Sequence, residues 1–429
     1  MSKKVYIVDG ARTPILKARS GRGPFSAADL SVQAGRPLLT RNKLPLEAFD
    51  EVILGCVMSS AKEANIGRVV ALRLGFDLSV PAWTVQRNCA SGMQALDSAM
   101  NRIQLGHADL VLAGGCEAMS HAPVLFNNNY VNWLGKFAMA KQLPKKLKAL
   151  LDFRLSMLSP VFALEHGLTD PVVKLNMGQT AEKIAYRFDI TRQQMDEFAV
   201  RSHHRAAKAH EDGVFKDELV PAFDTRGKVY EADDGVRADS SVEKLATLKP
   251  VFDKPYGKVT AANSSQISDG AALLILASEE AVEKYQLEPL AEIKTVQWAG
   301  LDPAEMGLGP AYASAKVLEE ARLGLEDIDY WEYNEAFAGQ VLACLEAFKS
   351  EEFCKGELGL DGALGEIDQE RLNIHGGAVA CGHPVGMSGA RIALHLAQVL
   401  RQTKTRRGIA SLCIGGGQGG AMLIENLSA

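Results

Sequence analysis

Three residues in this chain could share one chemistry. Cys89, His383 and Cys413 each stand in a short run punctuated by glycine: Thr84-Val-Gln-Arg-Asn-Cys-Ala-Ser-Gly-Met, His375-Gly-Gly-Ala-Val-Ala-Cys-Gly-His-Pro-Val-Gly-Met-Ser-Gly-Ala-Arg, and Leu412-Cys-Ile-Gly-Gly-Gly-Gln-Gly-Gly. A thiol near a histidine can act as a nucleophile whose proton the imidazole takes, and flanking glycines let backbone amides approach a reacting carbonyl. Cys89 follows a short apolar segment and precedes the helix-forming run that opens at Gln94. That places its sulfur at a strand-to-helix turn, where free amides of the helix start are expected to favour an anion and lower the thiol pKa. The competing account of each cysteine is a buried small hydrophobe.

Apolar strand-like runs alternate with alanine-rich helical runs, the pattern of an α/β protein. Strands are expected over 5–8, 51–54, 110–113, 271–276, 290–296, 330–333 and 408–413, and helices over 90–105, 179–188, 192–211, 311–321, 336–349 and 389–401. A faint internal repeat runs through this order. Asn88-Cys-Ala-Ser-Gly-Met, a helix and Asp109-Leu-Val-Leu-Ala-Gly-Gly parallel Gly382-His-Pro-Val-Gly-Met, a helix and Ile409-Ala-Ser-Leu-Cys-Ile-Gly-Gly. Were the halves structural copies, a pseudo-twofold would set Cys89 and His383 face to face at equivalent helix starts; chance likeness of two glycine-rich turns is the alternative.

The 429 residues are 47% hydrophobic and 23% charged, enough for two or three packed units. A formal net charge of −5 offers no overall basic field for nucleic acid. Seven scattered cysteines, an odd number, point to a reducing compartment rather than a disulfide framework. No signal-peptide pattern, membrane-spanning run or peroxisomal tripeptide is read, so the expected location is cytoplasmic. His203, His204 and His210 lie among Arg201, Arg205 and Lys208, a pattern of a solvated helix face rather than a metal site.

Six motifs in order, Gly10-Ala-Arg-Thr-Pro, Asn88-Cys-Ala-Ser-Gly, Gly114-Gly-Cys-Glu-Ala-Met-Ser, Asn334-Glu-Ala-Phe-Ala, Gly382-His-Pro-Val-Gly and Cys413-Ile-Gly-Gly-Gly-Gln-Gly, resemble the thiolase family over nearly the whole chain. The resemblance implies a duplicated five-layered α-β-α-β-α core with an inserted loop domain: an N-terminal half at 1–119 completed by 260–278, the insertion at 120–259, and a C-terminal half at 279–429. It also implies a catalytic set of Cys89, His383, Cys413 and Asn334, with an oxyanion site at the backbone amides of Cys89 and Gly415. Asn334 has a plainer reading as cap of the helix over 336–349. Ser265, Arg237 and Met177 are the implied contacts to coenzyme A (CoA), which is a substrate; no metal or other cofactor is implied, and a homodimer or tetramer is. The chain departs from the family at Asn176, often His, at His375, often Asn, and at Cys381, usually apolar.

Within the insertion, 118–151 carries no acidic residue but contains Lys136, Lys141, Lys145, Lys146 and Lys148, with leucines recurring at helical spacing from Leu143 to Leu158. Such a basic amphipathic helix can lie on an anionic membrane, pack on a partner, or cover its own fold. The insertion and Tyr256-Gly-Lys-Val-Thr-Ala-Ala-Asn-Ser-Ser look most similar to the thiolase subunit of the fatty-acid trifunctional complex, although that subgroup has His at the position of Asn334. The resulting expectation is thiolytic cleavage of 3-oxoacyl-CoA in fatty-acid β-oxidation through an acyl-Cys89 intermediate. The alternatives are an acetoacetyl-CoA thiolase condensing two acetyl-CoA, and a subunit that also docks to a hydratase/dehydrogenase partner or a membrane through 134–158.

Overall fold

The computed structural model describes residues 3–427. Nine strands build one mixed sheet: β1 (Val5–Arg12), β2 (Glu51–Gly55), β3 (Ala82–Val85), β4 (Leu110–Ala118), β5 (Ser268–Ser278), β6 (Ala291–Gly300), β7 (Tyr330–Tyr333), β8 (Arg407–Ile414) and β9 (Gln418–Glu425), and a short tenth, Leu16–Lys17, pairs with the start of β5. Their spatial order is β7-β8-β9-β6-β1-β5-β4-β2-β3. Outward from the antiparallel β1–β6 pair, each side repeats one plan. Two antiparallel neighbours come first, β5 and β4 or β9 and β8, and then a parallel strand, β2 or β7. β3 extends the N-terminal side alone; in its place on the other side Leu372 makes a single parallel bridge to Trp331.

The main helices are α1 (Ala27–Asn42), α2 (Ser91–Gln104), α3 (Met177–Arg187), α4 (Arg192–Glu211), α5 (Gly309–Ala321), α6 (Ala338–Lys349) and α7 (Val385–Thr403). Strand side chains alternate between two buried faces, as a period of two demands when both sides are covered. On β5, Ala272, Leu274 and Leu276 join the core around α2 and α7, while Ala271, Leu273 and Ile275 join another around α1. On β9, Met422 and Ile424 face that same central core, and Ala421 and Leu423 face a third around α5 and α6. The central core encloses α2 and α7 and the two outer cores lie beneath α1 and beneath α5 and α6, so the layers run α-β-α-β-α, and α7 packs on strands of both halves.

The two central helices meet through glycine. A Cβ on Gly92 would lie 2.8 Å from the Ala390 amide nitrogen, and one on Gly389 would lie 2.6 Å from that of Met93. Bulkier residues would force α2 and α7 apart, so these motif glycines set how closely Cys89 and His383 approach.

Several elements differ from expectation. α6 starts at Ala338, not 336, because Phe337 is held extended by a bridge to Ser264 and the Ala338 amide donates to Asn263 O; Asn334 therefore does not cap it. α7 starts at Val385, four residues early, directly behind Pro384. The glycine run after Cys413 turns at Gly416 and Gly417, both at positive φ, and returns as β9.

The expected basic amphipathic helix is two helices, Asn128–Met139 and Leu143–Leu151, bracketed by a hairpin of Val124–Phe126 with Pro160–Phe162. Trp133, stacked on Tyr130 and Phe137 of its own helix, joins the two by donating to Ala149 O. Their leucines do not enter the core: Leu143, Leu151 and Leu155 are 71%, 78% and 80% exposed.

The rest of the insertion is anchored. Arg12, at the end of β1, donates to Glu218 at 2.6 Å and to both Asp233 oxygens at 2.9 and 3.1 Å, all three side chains buried. His203 is also buried, which corrects the solvated-face reading: its Nδ1 accepts from the Arg237 amide, and burial brings its pKa down to about 4. Among the described residues, no cluster of three or more His, Cys, Asp or Glu could hold a metal, and no helix is long and apolar enough to cross a membrane.

Candidate active site

Cys89 lies between β3 and α2 in a tight turn. Asn88 takes a positive φ of 45°, held by donating from its side chain to Gly415 O at 2.8 Å, and Ser91 Oγ accepts from the Arg87 amide. The Ala90 and Ser91 amides are already spent on Arg87 O and Asn88 O. Helix-start amides are therefore not free to hold a thiolate, and burial pushes the Cys89 thiol up rather than down. Two amides do act in the other direction. Those of Gly415 and Cys89 itself converge on the sulfur and favour its charged form.

His383 precedes α7 and is buried. Its Nδ1 lies 2.6 Å from Ser388 Oγ, and that hydroxyl donates its own proton to Pro384 O. Oγ can therefore only accept from the ring, which puts the imidazole proton on Nδ1 and leaves Nε2 bare. Nε2 faces the Asn334 amide at 3.4 Å. Burial, helped by nearby Arg391, brings the His383 pKa down to about 3. At neutral pH the resting pair is a thiol and an uncharged imidazole, so proton transfer must accompany attack.

Asn334 ends β7 with its Oδ1 buried and unpaired by any described side chain or amide. A buried acceptor of this kind calls for a water or a ligand. Cys413, on β8, is buried, and desolvation followed by the Cys89 and Cys344 thiols raises its pKa well above the ordinary range.

Cys89, His383 and Cys413 line one cavity of about 490 Å³. With them stand Lys17, Met177, Ser265 and Phe337. A second cavity, of about 440 Å³, is walled by Val57, Met58, Leu164, Pro171 and Val172 and also reaches Gly415. Cys89, Met119, Leu168, Met177 and Val385 border both. The sulfur thus sits where two chambers meet.

Of the expected CoA contacts, Ser265 and Met177 line the first cavity, whereas Arg237 is exposed and does not. Arg237 is near enough to Lys17, which does line it, to join burial in lowering that ammonium's pKa. Asn176 caps α3, its side chain accepting from the Gln179 amide while Gln179 accepts from its own. His375 contacts His395 at 3.1 Å rather than His383. Cys381 is packed in the central core.

Sequence reasoning missed Lys17, Ser388 and the second-cavity wall. Ser388 had a signal in the run after Gly382, since a helix opening at Val385 turns it back under His383. Val57 and Met58 had none.

The thiolase N-terminal domain model matches residues 5–280 and the thiolase C-terminal domain model matches 287–426. The chain belongs to the thiolase family. This thiolase is 37% identical to the mitochondrial trifunctional enzyme subunit beta of Bos taurus over 427 residues, covering 99% of this chain and 88% of the relative. Among solved structures it resembles human mitochondrial 3-ketoacyl-CoA thiolase in complex with CoA, at TM-score 0.85 and 36% identity, covering 99% of this chain and 98% of that one. It also resembles the Bacillus anthracis acetyl-CoA acetyltransferase, at TM-score 0.84 and 38% identity, covering 99% of each chain. The thiolase is an acyltransferase.

Proposed function

We propose that this thiolase cleaves 3-oxoacyl-CoA with CoA to yield acyl-CoA and acetyl-CoA, accepting acyl groups longer than acetyl. The observation that carries the reading is the position of Cys89 between two chambers. One is lined by Lys17, Ser265 and Met177, with Arg237 near Lys17, and suits CoA; the other is walled by Val57, Met58, Leu164 and Val172 and suits an alkyl chain.

In this mechanism the bare Nε2 of His383 takes the Cys89 proton as sulfur attacks the 3-keto carbon. The amides of Cys89 and Gly415 receive the tetrahedral alkoxide. The C2–C3 bond then breaks, its electron pair going to C2, and the acyl group stays on sulfur as a thioester. His383, now protonated, and a water held by Asn334 stabilise the acetyl-CoA enolate oxygen. The Cys413 thiol gives its proton to C2, releasing acetyl-CoA, and the resulting thiolate takes the proton of the incoming CoA thiol as that thiol attacks the acyl-Cys89 carbonyl; the adduct collapses to acyl-CoA by expelling the Cys89 sulfur, which recovers its proton from His383.

The test is CoA-dependent cleavage across a series from acetoacetyl-CoA to long-chain 3-oxoacyl-CoA. We expect kcat/KM to rise with chain length. Cleavage confined to acetoacetyl-CoA would move the assignment to acetyl-CoA C-acetyltransfer, the reading favoured by the likeness to the Bacillus anthracis enzyme.

The helical hairpin supports attachment to a surface. Its exposed leucines and its lysines, with no acid from 118 to 151, complement an anionic membrane. Deleting 134–158 is expected to preserve thiolysis and abolish binding to vesicles containing anionic lipid; loss of binding to a hydratase/dehydrogenase subunit instead would assign the hairpin to that partner. β3, an edge strand of half-buried residues, offers its free side to a second copy of the chain and supports a homo-oligomer. The seven thiols, all free, suit a reducing compartment such as the cytoplasm.

A further inference from the structure

Glu117 is the penultimate residue of β4 and takes no part in the reaction described above, yet its carboxylate is fully buried and faces four donors. One oxygen accepts from the Val57 amide at 2.9 Å and from the Gly386 amide at 3.1 Å; the other accepts from the Met58 amide at 3.1 Å and from Cys56 Sγ at 3.6 Å. These donors come from two distant segments. Val57 and Met58, just beyond β2, form a wall of the second cavity. Gly386 lies in the first turn of α7, between His383 and the Ser388 that orients it.

Among the described residues no lysine, arginine or histidine pairs with this carboxylate, and burial pushes its pKa up to about 7. A carboxylate so placed weakens the fold relative to an apolar side chain of equal volume, so burial alone gives no reason to keep it. Its donors do. A single acceptor with two oxygens is the one group that can hold two β2-end amides and an α7 amide at once.

We propose that Glu117 is a positioning residue for thiolysis: it locks the Val57–Met58 wall of the second cavity to the helix turn that carries His383, so that a carbonyl carbon at Cys89 meets sulfur and Nε2 together. This rests on the thiolytic reading of the site. Glu117 also raises the Cys89 thiol pKa through its charge, which supplies an independent readout.

The test is Glu117→Gln, nearly isosteric, in which an NH₂ replaces one acceptor. On whichever substrate the wild type cleaves fastest, we expect kcat to fall about 10²-fold and KM for CoA to stay within about twofold, the effect of misplaced reacting groups beside an untouched CoA chamber. Iodoacetamide should alkylate Cys89 faster than in the wild type at pH 8, because a neighbouring negative charge is gone. Glu117→Asp, which keeps the charge but is too short to span both segments, should lose kcat without the gain in alkylation rate, and it serves as the deciding variant if the Gln protein does not fold. Wild-type kcat in a folded Gln or Asp protein overturns the proposal. So does a KM rise for CoA as large as the kcat loss. If the wild type cleaves no 3-oxoacyl-CoA at all, the thiolytic reading fails instead, and the two failures are thereby told apart.

Discussion

The two halves of this thiolase share a strand plan and differ in what they do at the matching helix starts. The N-terminal half presents Cys89 ahead of α2, partly open to two chambers, with the Cys89 and Gly415 amides directed at its sulfur. The C-terminal half presents His383 ahead of α7, buried, its Nδ1 held by Ser388 and its Nε2 beside Asn334. One copy exposes a group that must meet substrate; the other encloses a group that must keep a fixed tautomer. Strand β3, present on one side and reduced to the Leu372 bridge on the other, marks the same divergence. Where β3 would continue, the C-terminal half runs the loop through His375 to His383.

The comparison breaks most severely at the sulfur. Cys89→Ala should lower kcat on the order of 10⁵-fold, as removal of a nucleophile does, with the fold intact by circular dichroism. On the other side, His383→Gln keeps an amide in place of Nε2 but cannot take a proton, and kcat should fall about 10²–10⁴-fold. Equal activity in either variant would mean that the halves do not divide the work in this way.

Arg12 tests the anchoring of the insertion to the N-terminal half. Arg12→Met takes the guanidinium away from Glu218 and Asp233, which keep His395, and His210 with the Ile15 amide, as partners, and urea unfolding should show a loss of about 3 kcal/mol. A loss below about 1 kcal/mol, the value of a surface pair, would mean that those carboxylates are neutral or solvated.

The smallest expected effect concerns pH. Cys89 is held above its ordinary pKa and His383 is brought down to about 3, so neither titrates between pH 5 and 8. The rate of Cys89 alkylation should rise smoothly with pH and still be rising at pH 9. An inflection near pH 7 that persists in Glu117→Gln, where no carboxylate titrates beside the sulfur, would reveal a preformed thiolate–imidazolium pair.

Much of this was legible in the sequence. The periodicity located both central helices and seven of the nine strands, and the glycines of Asn88-Cys-Ala-Ser-Gly and Gly382-His-Pro-Val-Gly are those that let α2 and α7 touch. β9 escaped because Gly419 and Gly420 lack the side chains that signal a strand; Gly419 packs against Gly309 and Gly420 against Trp298, contacts visible only in the fold. The Cys89 pKa was misjudged for a related reason. A helix start suggests free amides, but whether they are free depends on the turn at Asn88, whose positive φ no composition rule predicts. The wall of Val57 and Met58 is built by strand order, β4 beside β2, which also gives Glu117 three of its donors, and the fourth, the Gly386 amide, arrives only with α7.

The most direct test of the account is to mix the enzyme with 3-oxoacyl-CoA without free CoA, quench in acid, and locate any acyl group by peptide mass spectrometry. The account predicts one acyl thioester, on the peptide containing Cys89, lost on addition of CoA and absent from Cys89→Ala. An acyl group on Cys413, or release of acetyl-CoA with no acylated cysteine, would contradict it.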